Sequence, residues 1–348
     1  MSLLYDLFGW ITRIFYDYFG NYGVAIIMLT VLIRGLLIPL NVRSQKSMIK
    51  MQALSGKQAE LQRKYGDDKQ KLQEEMMKMQ QENGAMGLSG CILPIIQLFL
   101  IWPIYRIVSG PLIYLSQVSK ENVTNMITLG QEMNILGKGV TETIHIGLVS
   151  ALNNSGEFLN ACISKGYIAL DQLLDLHFLG IDLTMVPSFN PVTIIAQPKV
   201  YLPLLLFPIL VVLTQVISMQ FTKIVKPGYK QEQEAKERAK NNPARQGQVQ
   251  ENSSTEMTMK MMTWSMPIIM LITTFTMPAA MGLYWIVGGV MGIVTQVMVY
   301  FLFTKPYEQK KAEIEAKKEA VFKRKPKETE NAEDTANNKK KKNNNKRK

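Results

Sequence analysis

The apolar residues of this chain are gathered into blocks, and the charged residues lie between them. Five blocks reach or approach the roughly 20 residues that a spanning helix needs. They are Val24–Leu40, Cys91–Ser109, Leu202–Thr222, Met261–Met277 and Met281–Phe303. Only Pro278-Ala-Ala280 separates the last two, room for a tight turn, so they read as a helical hairpin. The stretch Leu3–Phe19 has another texture. Leu3, Leu4, Leu7, Phe8, Ile11, Ile14, Phe15 and Tyr18 recur at helical spacing while Asp6, Arg13 and Asp17 interrupt. This predicts an amphipathic helix in the membrane interface, with Trp10 and the tyrosines at headgroup level. It has neither the basic start nor the small-residue cleavage site of a signal peptide.

The resulting organisation is an interfacial helix over 1–20, a span over 21–41, a hydrophilic hairpin over 42–90 and a second span over 91–109. A mildly acidic region follows over 110–201, then a third span over 202–222 and a hydrophilic loop over 223–260. The hairpin of spans four and five covers 261–303, and a basic tail covers 304–348. Residues 43–83 predict two antiparallel helices broken at Tyr65-Gly66-Asp67, with Asp67 and Gln70 as a capping box for the second. Met48, Met51, Leu54 and Leu61 give the first an apolar edge, and Leu72, Met76 and Met79 the second. Composition leaves open whether this hairpin is a solvated spacer or a docking arm. Region 110–201 reads as a small irregular helical cap, with helical patterns near Thr141–Leu152 and Glu157–Leu176. Residues 228–256 and 324–348 are too polar to fold alone.

Charge sets the orientation. Lys and Arg number nine over 42–90, eight over 223–260 and sixteen from 304 onward. Region 110–201 has four Lys and seven acids. Under the positive-inside rule the N-terminus and 110–201 lie outside, and the tail lies in the cytoplasm. The net charge of +12 is therefore cytoplasmic. Cys91 and Cys162 fall on opposite faces and cannot pair.

Candidate chemistry is sparse. No span holds Asp, Glu or His, which removes the usual proton relay of a pump. Nucleophile elbows, zinc-protease motifs and phosphate-binding glycine loops are absent. His145 and His177 have no ligand-spaced partner. The expectation is a non-enzyme without cofactor or metal. One residue stands out. Arg34 sits in mid-span, where an arginine costs about 2.5–3.5 kcal/mol on insertion scales. No carboxylate in the spans can pair with it, and it stands about 15 Å from the outer end, too far to snorkel outward comfortably. A hydrated pocket accounts for it better. Polar and small residues on other helices could line that pocket: Thr30 and Asn41 beside Arg34, then Gln97, then Gln215, Ser218 and Thr222, then Trp285, Gly289, Gly292 and Gln296. Each stripe could equally serve close helix packing, Gly288-x-x-x-Gly292 above all.

Val-Leu-Ile-Arg-Gly-Leu-Leu-Ile-Pro-Leu (31–40), Gly-Asp-Asp-Lys-Gln (66–70), Gly-Cys-Ile-Leu-Pro-Ile-Ile-Gln (90–97) and Gly282-Leu-Tyr-Trp-Ile-Val287 together resemble the YidC membrane-protein insertases, in their short Gram-positive-like form. The resemblance implies an all-α membrane protein whose five transmembrane helices enclose a hydrophilic groove, in a bacterial plasma membrane. It implies insertion of nascent membrane proteins, alone or with the Sec translocon, with the ribosome and membrane lipids as further partners. Arg34 matches the family's groove arginine, and Gln97, Gln215, Trp285 and Gln296 fall on or beside groove positions. Gly288-Gly289 replaces polar residues there, and 110–201 is longer than the family's usual link. The alternative function is a small-solute channel or transporter, although neither internal repeats nor discontinuous helices favour it.

Overall fold

The computed structural model describes residues 2–54, 57, 60–61, 64–66, 68–82, 88–225, 229, 233–234, 237, 254–310, 312–314, 316–317 and 320. Some side chains inside these helices, Gln97 and Cys91 among them, lie outside the description. The described chain is mostly helical and falls into two units, Met1–Met298 and Val299–Lys348.

In the first unit, α1 (Ser2–Phe19) packs on α2 (Tyr22–Ala53) and on α4 (Leu88–Ser109). The close approach of α1 requires Gly9, where a Cβ would stand 2.6 Å from the carbonyl oxygen of Tyr114. The apolar residues of α1 divide between two faces. Phe8 and Ile11 pack inward, while Leu3, Leu7, Trp10, Ile14 and Tyr18 stay exposed.

Helix α2 continues beyond its apolar block into the hydrophilic segment, with Pro39 inside it and Asn41 Nδ2 donating to the carbonyl of Leu37 (3.1 Å). The expected boundary at 41 therefore falls inside one continuous helix. The second hairpin helix, α3 (Lys69–Glu82), opens one residue later than the sequence suggested: Asp68 Oδ1 accepts from the Lys71 N–H (3.1 Å). Asp67 lies outside the described residues. Asp68 is an equally good N-cap, and the two adjacent aspartates could not be told apart by pattern. Leu54 and Met79 are buried together with Leu61 beside them, so the two hairpin segments meet through their apolar edges.

Tyr22–Ser44, Pro198–Ile224 and Ala279–Ile314 are helices long and apolar enough to cross a membrane. The block Cys91–Ser109 lies in α4, and Met261–Met277 lies largely in the later helix Ser254–Thr274. Large apolar side chains remain exposed along all of these helices: Val31 and Leu36, Phe99, Ile209 and Leu213, Ile268 and Ile272, Val290 and Val294. A soluble protein could not sustain so much exposed apolar surface; a chain bathed in hydrocarbon can.

Region 110–201 is a cap whose core is continuous with that of the adjoining helices. Its helices are α5 (Pro111–Tyr114), α6 (Lys120–Glu132), α7 (Ile146–Asn154) and α8 (Gly156–Ser164). Leu112, Leu115, Met126, Leu148, Leu152, Phe158, Leu174 and Leu176 are fully buried, in one cluster with Tyr22, Ile26, Ile104, Ile107 and Phe207 of the neighbouring helices. The sequence foresaw α7 and α8 but missed α6, which Ser119 caps through the Asn122 N–H. It also extended the second helical pattern to Leu176, whereas α8 ends at Ser164 and Gly166 (φ 70°) turns the chain. A two-stranded antiparallel hairpin, β1 (His177–Phe178) with β2 (Ile181–Asp182), turns through Leu179 and Gly180. Their φ values of 51° and 77° are the left-handed pair that a two-residue hairpin demands. Cys162 is buried, and burial pushes its thiol up to about 11, so it is a poor target for thiol reagents in the folded protein.

The cap is bound to the membrane helices at several points. The His145 N–H donates to the carbonyl of Ser109, Asn21 Nδ2 donates to the carbonyl of His177, and Phe178 lies on Gly23. After α9 (Pro191–Ala196), α10 (Pro198–Leu204) and α11 (Leu206–Ile224) lead the chain into the third apolar block. Helix α11 packs on α12 (Ser254–Thr274), and α13 (Ala279–Val299) follows. The first N–H groups of α13 have no partner inside the helix. Ala279 and Ala280 donate instead to the cap carbonyls of Met185 and Leu183, and Met281 donates to Pro278.

The second unit opens with a π-helical turn, Tyr300–Thr304, in which Tyr300 meets Phe301 edge-on and Lys305 Nζ lies 5.9 Å from the Phe301 ring centre. Residues 238–253 and 321–348 lie outside the described residues.

His145 gives the cap a pH dependence. It is fully buried, its Nδ1 lies 2.8 Å from the carbonyl oxygen of Glu142, and Nε2 has no partner among the described residues. Burial holds its pKa down, from an ordinary 6.5 to about 4, with nearby Arg106 adding to the effect and Glu142 opposing it. An unfolded chain therefore takes up a proton before the folded one does, and stability falls as pH drops from 6.5 to 4. The loss should reach on the order of 3 kcal/mol. Melting curves across this range should show it, and His145→Gln should flatten the dependence.

Candidate functional site

Where α2, α11 and α13 approach one another, the first unit holds a cavity of about 180 Å³. Arg34 and Asn41 reach it from α2, Gln215 and Ser218 from α11, and Gly288, Met291, Gly292, Thr295 and Gln296 from α13. Most of these side chains carry a hydrogen-bonding group. That is unusual for a space between helices whose outer faces are apolar, and such a space favours water.

Arg34 is partly buried and makes no ion pair among the described residues. Its guanidinium carbon lies 5.9 Å from the ring centre of Tyr284, within range of a cation–π attraction. The absence of a side chain at Gly288 makes this placement possible. A Cβ there would stand 2.7 Å from Arg34 Nη2. Gly288 therefore gives up a polar group of its own and admits the guanidinium to the same space.

Gly289, one residue on, serves packing. A Cβ there would stand 2.9 Å from Thr214 Oγ1, so this glycine sets the separation of α11 and α13. Below it the two helices are joined by side-chain hydrogen bonds. Gln296 Nε2 donates to Ser218 Oγ (3.2 Å) and to Thr222 Oγ1 (2.6 Å), while Gln296 Oε1 is left without a partner among the described residues. Amide–hydroxyl bonds of this kind hold membrane helices together at about 1 kcal/mol or less each.

The structure thus brings Arg34, Gln215, Ser218 and Gln296 to one space. It does not bring Thr30 or Trp285 there. Thr30 is buried and its hydroxyl donates to the carbonyl of Ile26, satisfying it within its own helix. Trp285 is buried away from the cavity, with Nε1 lacking a partner among the described residues. Its neighbour Tyr284 is the aromatic that faces Arg34. The Gln97 side chain lies outside the described residues. Thr295 and Met291 line the cavity and were missed, because the face of α13 was drawn through Trp285 and Gly289. A face drawn from Tyr284 through Gly288 at a spacing of 4, then to Met291 and Thr295, would have found both.

A model of the family described as 60Kd inner membrane protein matches residues 14–306. Among curated relatives, a protein of Caldanaerobacter subterraneus named Membrane protein insertase YidC is 38% identical over 105 residues, 30% of this chain and 51% of its own. A Clostridium perfringens protein of the same name is 38% identical over 97 residues, covering 27% of this chain and 41% of its own. One from Helicobacter pylori is 42% identical over 92 residues, covering 26% and 17%. The aligned part spans about half the length, or less, of these relatives.

The fit of Arg34 against Gly288 can be tested by a double-mutant cycle. Gly288→Val should lower the melting temperature in detergent by several degrees, since it forces the guanidinium aside. In an Arg34→Ala background the same substitution should cost much less, with a coupling of about 1–3 kcal/mol. Equal costs in the two backgrounds would contradict the contact. With its match over residues 14–306, the chain belongs to the 60Kd inner membrane protein family, whose members include insertases of the YidC type.

Proposed function

We propose that this chain is a membrane protein insertase that passes nascent membrane segments through a hydrated groove within the bilayer, alone or with the Sec translocon. The observation that carries the reading is an arginine with no described ionic partner, held against a polar cavity between apolar helices. Relatives named Membrane protein insertase YidC add support.

The proposed body has five spans, 21–41, 91–109, 202–222 and the hairpin pair within 261–303. The N-terminus and the cap lie outside and the basic segments lie in the cytoplasm, a reading that the Lys/Arg asymmetry supports. A client's polar tail cannot enter hydrocarbon unaided, because each unsatisfied polar group costs several kcal/mol. A wet space reaching mid-membrane shortens that crossing. Arg34 attracts acidic residues of the tail, Gln215, Ser218, Thr295 and Gln296 exchange hydrogen bonds with its backbone, and the apolar segment leaves sideways into lipid. Partition of the client's own apolar surface drives the process. No covalent bond is made or broken, so the chain works as a chaperone rather than an enzyme and needs no cofactor. Sixteen Lys and Arg in the tail suit the phosphates of ribosomal RNA or of anionic lipid.

An Arg34 series tests the mechanism. In reconstituted vesicles Arg34→Lys should keep most insertion activity, since charge at a distance suffices. Arg34→Ala should slow a client with an acidic outer tail by on the order of tenfold, about 1.4 kcal/mol of lost attraction, and spare its neutralised version. Arg34→Glu should be worse than Ala for the acidic client. Equal loss for both clients would sink the attraction mechanism, and failure of Lys alongside Ala would assign Arg34 a bidentate structural role instead.

Orientation is tested at an exposed position of the cap, since Cys162 is buried. In intact cells Lys138→Cys should react with a membrane-impermeant thiol reagent. Labelling that appears only after the membrane is opened would reverse the topology.

A further inference from the structure

We propose that the rim of the 110–201 cap is a lipid-binding surface, seated in the headgroup region of the leaflet from which the membrane helices emerge. Two stretches of the cap form this rim, and contacts with the helix ends fix both at that level. The first is the β1–β2 hairpin. Phe178 lies against Gly23, the second residue of α2, where an added Cβ would stand 2.4 Å from its ring, and Asn21 Nδ2 holds the carbonyl of His177 (3.2 Å). The hairpin tip at Leu179 therefore stands beside the end of the first span.

The second stretch precedes α10. After a bend at Gln197, helix α9 is followed by Pro198–Ile224, one of the helices long enough to cross a membrane, and the Phe189 ring meets Phe275 edge-on at 5.4 Å just past the end of α12. Chain continuity ties this stretch to a surface that faces lipid, since Leu202, Leu206, Ile209 and Leu213 follow it and are exposed.

At these two places the cap departs most strongly from its own packing rule, with Leu170 the other large apolar residue that it leaves mostly exposed. Its interior buries Leu148, Phe158 and Leu174 completely, yet Leu179 is 84% exposed, Phe189 75%, Val192 74% and Ile195 77%. Leu179 also adopts φ 51°, where Asn or Gly is the usual choice, so a large apolar side chain is held outward at a strained position. Apolar residues left in water at four points would be unfavourable; the same residues at the ends of spanning helices lie within reach of acyl chains. Exposed Lys199 in the first turn of α10 is placed to meet a headgroup phosphate while its stem stays in the apolar layer. The inference concerns the cap alone and holds for either orientation of the chain.

The test uses the full chain in vesicles of phosphatidylcholine and phosphatidylglycerol, with Cys91→Ser and the buried Cys162 retained. Nitroxide labels at Leu179→Cys, Val192→Cys and Ile195→Cys should collide several-fold more with oxygen than with a water-soluble nickel chelate, relative to a label at exposed Lys138→Cys. Labels as open to the nickel chelate as Lys138→Cys would mean that the rim faces water. Labels closed to both quenchers would mean that protein, a second copy or a partner, covers it. Either result overturns the proposal.

Discussion

A guanidinium halfway along an apolar helix must be solvated, and the arrangement of α2, α11 and α13 follows from how it is solvated. The described residues offer Arg34 no carboxylate. Such a pair would fix the charge by mutual attraction and leave it of little use to a third group. What surrounds it is the π face of Tyr284, a gap at Gly288 and neutral amides and hydroxyls. Neutral dipoles lower the cost of the charge without cancelling its field. Gly289 and the Gln296 bonds then hold α11 and α13 at a spacing that keeps the space open without letting the helices part.

Much of this was legible in the sequence. Spans defined by length and apolar content need only composition, and an arginine among leucines announces itself. Family motifs pointed to helices that line the cavity. The facing of α13 was not legible, because Tyr284-Trp285 and Gly288-Gly289 are adjacent pairs and a one-residue choice rotates the helix by about 100°. Thr30 was misplaced for a related reason: a hydroxyl on a membrane helix can satisfy itself on the preceding turn, and pattern cannot distinguish that from a lining role. The cap was least legible. Its helices are short, and its hairpin has Leu where a turn signal would be read from Asn or Gly.

The chain answers to two solvents. The cap keeps a dry centre and a largely polar surface, with its rim and Leu170 as the main exceptions. The spanning helices invert this pattern, with apolar residues outward and polar ones gathered inside. Helix α2 runs from the apolar block into the hydrophilic segment as one helix with Pro39 inside it, so Arg34 and Ala53 share one element.

The start of α13 carries a consequence for the length of the chain before it. Ala279 and Ala280 send their N–H groups to the carbonyls of Met185 and Leu183, so the cap acts as the missing previous turn of that helix. Replacing 110–201 with a plain tether would take both acceptors away from these two donors. Any abridged linker must present two acceptors at that same spot, which makes the cap an integral splice in the backbone rather than an ornament that can be trimmed away.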